Sequence, residues 1–206
     1  MDLDPKTVQT PDFEALKAEI RACRVCEPAL AHPVRPVVRG NATARIRIIG
    51  QAPGTRVQAS GIPFDDPSGD RLRAWMGVER ETFYDEDLIA ITPMGFCFPG
   101  LDAKGGDLPP RKECAPLWQT RSTQALPHVR LTLLIGQYAQ RFYLKKAVAK
   151  TLTQTVLQWR NYAPDTFVLP HPSWRNNAWI KKNPWFSEEL LPHLRLRICN
   201  IIQYKG

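Results

Sequence analysis

A chain of 206 residues, 43% of them hydrophobic, has apolar material for one filled core and is too short to need two, so a single domain over 1–206 is expected. Its 28 Lys and Arg against 20 Asp and Glu leave a formal charge of +8, a balance that suits a polyanionic partner and excludes an acidic solvating chain. No apolar stretch approaches a membrane span and the opening Met1-Asp2-Leu3-Asp4-Pro5 is acidic where a secretory signal is basic, so a cytoplasmic monomer with no membrane partner is expected.

Phe13, Leu16 and Ile20 recur at helical spacing behind Pro11-Asp12 and predict a helix over 13–22. Residues 28–40 carry three prolines without periodicity and read as a covering loop. Apolar runs at 45–49, 88–91, 131–135 and 166–169 each have the length of a buried strand. Helix-like stretches lie between or after them at 68–76, 111–124, 138–150 and 151–159, and Gly136-Gln137 marks a tight strand-to-helix turn. Residues 185–194 predict a terminal helix, which 195–204 either continue or leave as an edge strand. Strands alternating with helices give an α/β fold, a three-layer α/β/α sandwich with a short, mainly parallel central sheet. Internal repeats and low-complexity segments are absent from the sequence.

Five cysteines is an odd number, and a reducing compartment disfavours disulfides, which points to metal ligation. Cys23-Arg24-Val25-Cys26 is a Cys-x2-Cys pair at the end of the first helix, and Cys97 and Cys114 enclose 16 residues rich in Gly and Pro. Ordinary buried thiols, a structural zinc and a four-iron cluster all accept this spacing, the last two about equally. Cys199 stands apart and reads as core.

Two short motifs follow strands: Gly50-Gln51-Ala52-Pro53-Gly54 after 45–49, and Leu169-Pro170-His171-Pro172-Ser173 about 120 residues later. Both fall at the carboxyl edge of the sheet, where open α/β sheets bind ligands. The pair resembles the signature motifs of the uracil-DNA glycosylase superfamily, and the order of the cysteines resembles its iron–sulfur class. The resemblance runs from Cys23 to about Pro184. It implies a structural 4Fe-4S cluster on Cys23, Cys26, Cys97 and Cys114, with zinc as the alternative, and uracil-containing DNA as partner. It further implies a monofunctional glycosylase that cuts the N-glycosidic bond of deoxyuridine and leaves an abasic site.

Such a reaction takes the nucleotide out of the stack and leaves negative charge on the departing base. Backbone donors at Gln51 and Ala52 and a neutral His171 match the superfamily's positions for holding that charge. Phe64 matches the aromatic that stacks on the base. Where the superfamily carries Asp or Asn third in the first motif, or Glu second, this chain has Ala52 and Gln51. Neither is a general base, although Gln51 can orient a water. The nearest carboxylates in sequence, Asp65 and Asp66, are the candidates to stabilise the sugar cation or hold the water, and Asp66 or Ser68 is also a candidate N-cap. Pro93 stands where the family's base-reading asparagine is expected, so backbone near Met94, or Asn176 and Asn177, is expected to read the base edge.

Trp174 and Arg175 match the family's wedge, with Ser173 beside them, and aromatic and basic residues interleave as far as Trp185. Thr55, Arg56, Arg141, Lys145 and Lys146 are candidate phosphate contacts, each as readily explained as a solvated face. Trp179 and Trp185 are also read as core. Rival expectations are a catalytically weak binder of uracil or abasic DNA, a glycosylase for another deaminated base such as hypoxanthine, and a metal-stabilised nucleic-acid module with no base pocket.

Overall fold

The computed structural model describes residues 12–203. Met1-Asp2-Leu3-Asp4-Pro5, Pro11 and Tyr204, which entered the sequence expectations, lie outside the described residues. Four strands, β1 (Ile46–Ile49), β2 (Ile89–Ile91), β3 (Leu131–Ile135) and β4 (Thr166–Leu169), form a parallel sheet in the order β2-β1-β3-β4. Every neighbouring pair is parallel, with Ile48 beside both Ile91 and Leu133, and Leu133 beside Phe167. The strands are short and almost wholly buried, because helices cover both faces and leave no polar side to alternate with.

Nine α-helices accompany them among the described residues. They are α1 (Phe13–Ala22), α2 (Thr55–Ser60), α3 (Pro67–Met76), α4 (Arg80–Phe83), α5 (Cys114–Gln124), α6 (Gly136–Leu144), α7 (Leu152–Leu157), α8 (Asn177–Lys182) and α9 (Leu191–Gln203). A main core joins Ile46, Ile48, Leu133 and Phe167 to Leu72 and Met76 of α3 and Leu194 and Ile198 of α9. A second packs Phe13, Leu16 and Ile20 of α1 against Ala90, Phe96 and, on α5, Trp118. None of these helices is long and apolar enough to cross a membrane.

Several boundaries differ from the sequence expectation. The helix expected over 138–150 ends at Leu144, where Lys145 takes a φ of 51° that a helix interior cannot accept. The stretch 111–124 becomes helical only from Cys114, and 151–159 shortens to α7 behind a Thr151–Gln154 capping box. Residues 195–203 are helix and not an edge strand, since Leu194, Ile198 and Ile201 keep one apolar stripe on the main core. The other face of that helix is open, which is why Cys199 is exposed and not core. Trp179 and Trp185 are partly buried, and their rings meet edge-on at 5.8 Å.

Candidate active site

β1 runs into the turn 50–54 and then α2, so the first motif sits at the carboxyl edge of the sheet. The segment after β2 ties this turn down: the Met94 N–H donates to Gly50 O and the Gly95 N–H to Gln51 O, each at 2.9 Å. Thus the motif's carbonyls face the core, and Gln51 and Ala52 form part of a cavity wall. Arg35 closes the far end of α2 by donating to the carbonyls of Gln58 and Ser60 at 2.9 and 3.0 Å.

Phe64 has a φ of 57°, an unusual conformation for an aromatic residue, and glycines on either side make it possible. A Cβ on Gly50 would stand 3.2 Å from Phe64 Cζ, and one on Gly69 would collide with the Phe64 carbonyl. Asp66 caps α3, its Oδ1 accepting from the Gly69 N–H at 2.8 Å. The Phe64 ring meets Phe83 edge-on at 6.1 Å.

At the end of β4 the His171 loop is held on several sides. Gln140 on α6, fully buried, donates to Leu169 O at 2.9 Å; Asn176 donates to His171 O at 2.6 Å; and Arg71 on α3 donates to Ser173 O at 3.0 Å. The Ser173 N–H donates to His171 Nδ1 at 3.2 Å. An accepting ring nitrogen carries no proton, so this bond places the proton of the neutral imidazole on Nε2. Burial lowers the His171 pKa below its ordinary value, with Asp66 partly opposing the shift. At neutral pH the ring is therefore an uncharged donor through Nε2.

Gln51, Ala52, Phe64, Asp66, His171, Ser173, Trp174 and Arg175 all line one cavity of about 230 Å³. Val37, Pro63, Ile91 and Pro93 supply an apolar part of its wall, and Asp107 a further carboxylate. Trp174, 72% exposed, stands at the rim with the Arg175 guanidinium 5.9 Å from its ring centre. Several expected residues lie outside this lining. Asp65 pairs with Arg80 at 2.8 Å. Met94 is buried, its N–H engaged by Gly50, and Thr55 and Arg56 form the exposed first turn of α2. Asn176 is engaged with His171, and Asn177 begins α8 in the open.

Asp107, Gln140 and Arg71 escaped the reading of the sequence. Asp107 sits in a Gly-rich loop with no periodicity, paired with Leu101 in an isolated bridge that no strand pattern announces. Gln140 had one signal, a polar residue on the inner face of an otherwise apolar helix stripe.

Cys23, Cys26, Cys97 and Cys114 line a second cavity, with Gly95 between it and the first motif. Burial pushes the Cys97 thiol up to about 11 and that of Cys114 up to about 12, the neighbouring cysteines adding to both shifts. The Phe96 N–H donates to Cys114 Sγ at 3.3 Å. Among the described residues, no group of three or more His, Cys, Asp or Glu side chains is spaced to hold a metal ion as it stands. The donor set itself, four thiols around one small cavity, is of the type that iron–sulfur clusters and all-thiolate zinc sites use.

A parallel sheet whose carboxyl edge presents a Gly-Pro turn, an aromatic ring and a partly buried histidine around one small cavity is an architecture of the DNA glycosylase type. The chain belongs to the uracil DNA glycosylase superfamily, whose family model matches residues 37–195. It is similar to the type-4 uracil-DNA glycosylase of Saccharolobus solfataricus, with 25% identity over 174 residues covering 79% of this chain and 76% of that protein.

Proposed function

We propose that the protein is a monofunctional DNA glycosylase that excises uracil from DNA and leaves an abasic site. The observation that carries this reading is the neutral His171 with its proton on Nε2, in the same cavity as the Gln51-Ala52 turn. Departure of the base breaks the C1′–N1 bond and leaves the electron pair on the pyrimidine. A donor that stays uncharged while buried stabilises the resulting oxyanion more than it stabilises neutral uracil, which is what lowers the barrier. Phe64 stacks on the flipped base, and the remaining Asp66 oxygen opposes the positive charge that develops on the sugar. Trp174 at the rim occupies the gap left in the duplex, with Arg175 on the adjoining phosphate. The apolar wall at Val37, Ile91 and Pro93 accepts the planar ring.

The four cysteines hold a 4Fe-4S cluster in this reading, as the type-4 relative suggests, and the cluster's part is to fix the segment 95–114 behind the first motif. No chemical step passes through it. Anaerobically purified protein is expected to be brown with about four irons per chain; a colourless protein loaded with zinc would contradict the assignment.

Pro93 favours a second reading of the substrate, because it supplies no side-chain amide to the cavity wall. Another deaminated base, such as hypoxanthine, would then be accepted. The test is single-turnover cleavage of single- and double-stranded oligonucleotides carrying one uracil or one hypoxanthine, with heat–alkali scission of the abasic product. Cleavage at uracil supports the first reading and cleavage only at hypoxanthine the second. Tight retention without cleavage would make the protein a binder.

A further inference from the structure

We propose that Asp107 is the carboxylate that takes the proton from the attacking water, the task that neither Gln51 nor Ala52 can perform. The assignment rests on the glycosylase reading. Three aspartates lie in or beside the cavity, and they differ in what engages them. Asp65 is paired with Arg80 outside the lining, and Asp66 caps α3 through Oδ1. Asp107 lines the cavity, and among the described residues its carboxylate accepts no hydrogen bond and forms no ion pair within 4.0 Å. A base must have a lone pair free for the water.

The loop that carries Asp107 is built to hold it there. Leu108 N–H donates to Gly100 O at 2.9 Å and Asp102 N–H to Gly106 O at 2.7 Å, closing a narrow hairpin. The Asp102 carboxylate fastens the tip by accepting from the N–H groups of Lys104 and Gly106, both at 2.8 Å. On the far side, Gln51 Nε2 reaches Leu108 O at 3.4 Å, so the first motif and the hairpin meet. Gly54 leaves the intervening space open: a Cβ there would fill it, 3.6 Å from Asp107 Oδ2.

The surroundings suit a base. Asp107 is exposed as a residue, but desolvation against the cavity wall, with Asp66 and Asp102 nearby, raises its carboxyl above its ordinary value, and Arg175 offsets part of the shift. A raised carboxyl is a stronger proton acceptor than an ordinary one. In the step, the C1′–N1 bond breaks with its electron pair leaving on the base, where His171 Nε2–H receives the charge. A water oxygen forms the new bond to C1′, and one of its protons passes to Asp107. That proton is later released to solvent, and the departed base anion takes one up, so deoxyuridine and water give the abasic sugar and uracil.

The experiment measures single-turnover release of radiolabelled uracil by wild type, Asp107→Asn and Asp107→Glu, with DNA affinity and melting temperature recorded for each. Asp107→Asn is expected to lose about a hundredfold or more in rate while keeping affinity and melting temperature, and Asp107→Glu to recover part of the loss. Azide, which attacks C1′ with no proton to give up, should restore uracil release in Asp107→Asn. An Asp107→Asn protein as fast as an active wild type overturns the assignment and leaves the glycosylase reading intact. A slow Asp107→Asn protein that melts lower and is not rescued by azide overturns it too, since the role is then structural. A wild type that releases no uracil overturns both.

Discussion

In the proposed mechanism the chemistry turns on His171, and the environment of that residue makes two outcomes specific. His171→Ala removes the Nε2 donor, and single-turnover excision is expected to fall about a hundredfold or more with DNA affinity largely kept. An unchanged rate would remove the residue from the mechanism. Burial also gives the ring a pH signature. Its folded pKa lies below that of the unfolded chain, so as pH falls below about 6.5 the unfolded state takes up the proton first. The stability tied to the neutral ring is complete above that value and is lost as pH falls through the depressed one. Wild type should therefore lose more melting temperature than His171→Ala between neutral and mildly acidic pH, and equal losses would show that the buried ring is not what titrates. The same uptake would protonate Nδ1 and break its bond from Ser173, so excision should decline over the same range.

At the scale of elements, the decisive junction is where α3 meets Phe64. Gly69 lies in the first turn of that helix with the Phe64 carbonyl against its Cα, so Gly69→Ala must move either the helix or the aromatic. Overpacking of this kind costs about 1–3 kcal/mol, a fall of roughly 2–12 °C in melting temperature for a chain of this length, and base stacking should suffer with it. A substitution that leaves melting temperature and excision alone would mean that Phe64 is held elsewhere. The sequence made some of this junction legible. Buried strands announce themselves as apolar runs, as at Ile46–Ile49, and the Gly and Pro of the first motif mark the turn after one of them. Six-residue helices such as α2 and α8 were not legible, because they span less than two turns and show no period. Asp107 was not legible either: it reaches Gly54 through a hairpin and a contact across more than fifty residues, and local pattern carries no information about such a meeting.

For the molecule as a whole, charge and cavity work together: a chain of formal charge +8 presents an exposed Trp174 beside Arg175 at the mouth of the cavity. Phosphate contacts release counterions and base contacts do not, so the two contributions separate under salt. DNA affinity should fall linearly with salt on logarithmic axes. Arg175→Ala should flatten that slope by about one, the signature of one lost phosphate contact. Trp174→Ala should weaken binding to a uracil-containing duplex with the slope unchanged, because an inserted ring displaces stacking and not ions. Equilibrium binding of both variants across a salt series decides between these assignments. If Trp174→Ala altered the slope, or Arg175→Ala did not, the rim would bind DNA differently, and Arg175 would act chiefly on the acidic hairpin of Asp102 and Asp107, whose charges it already faces.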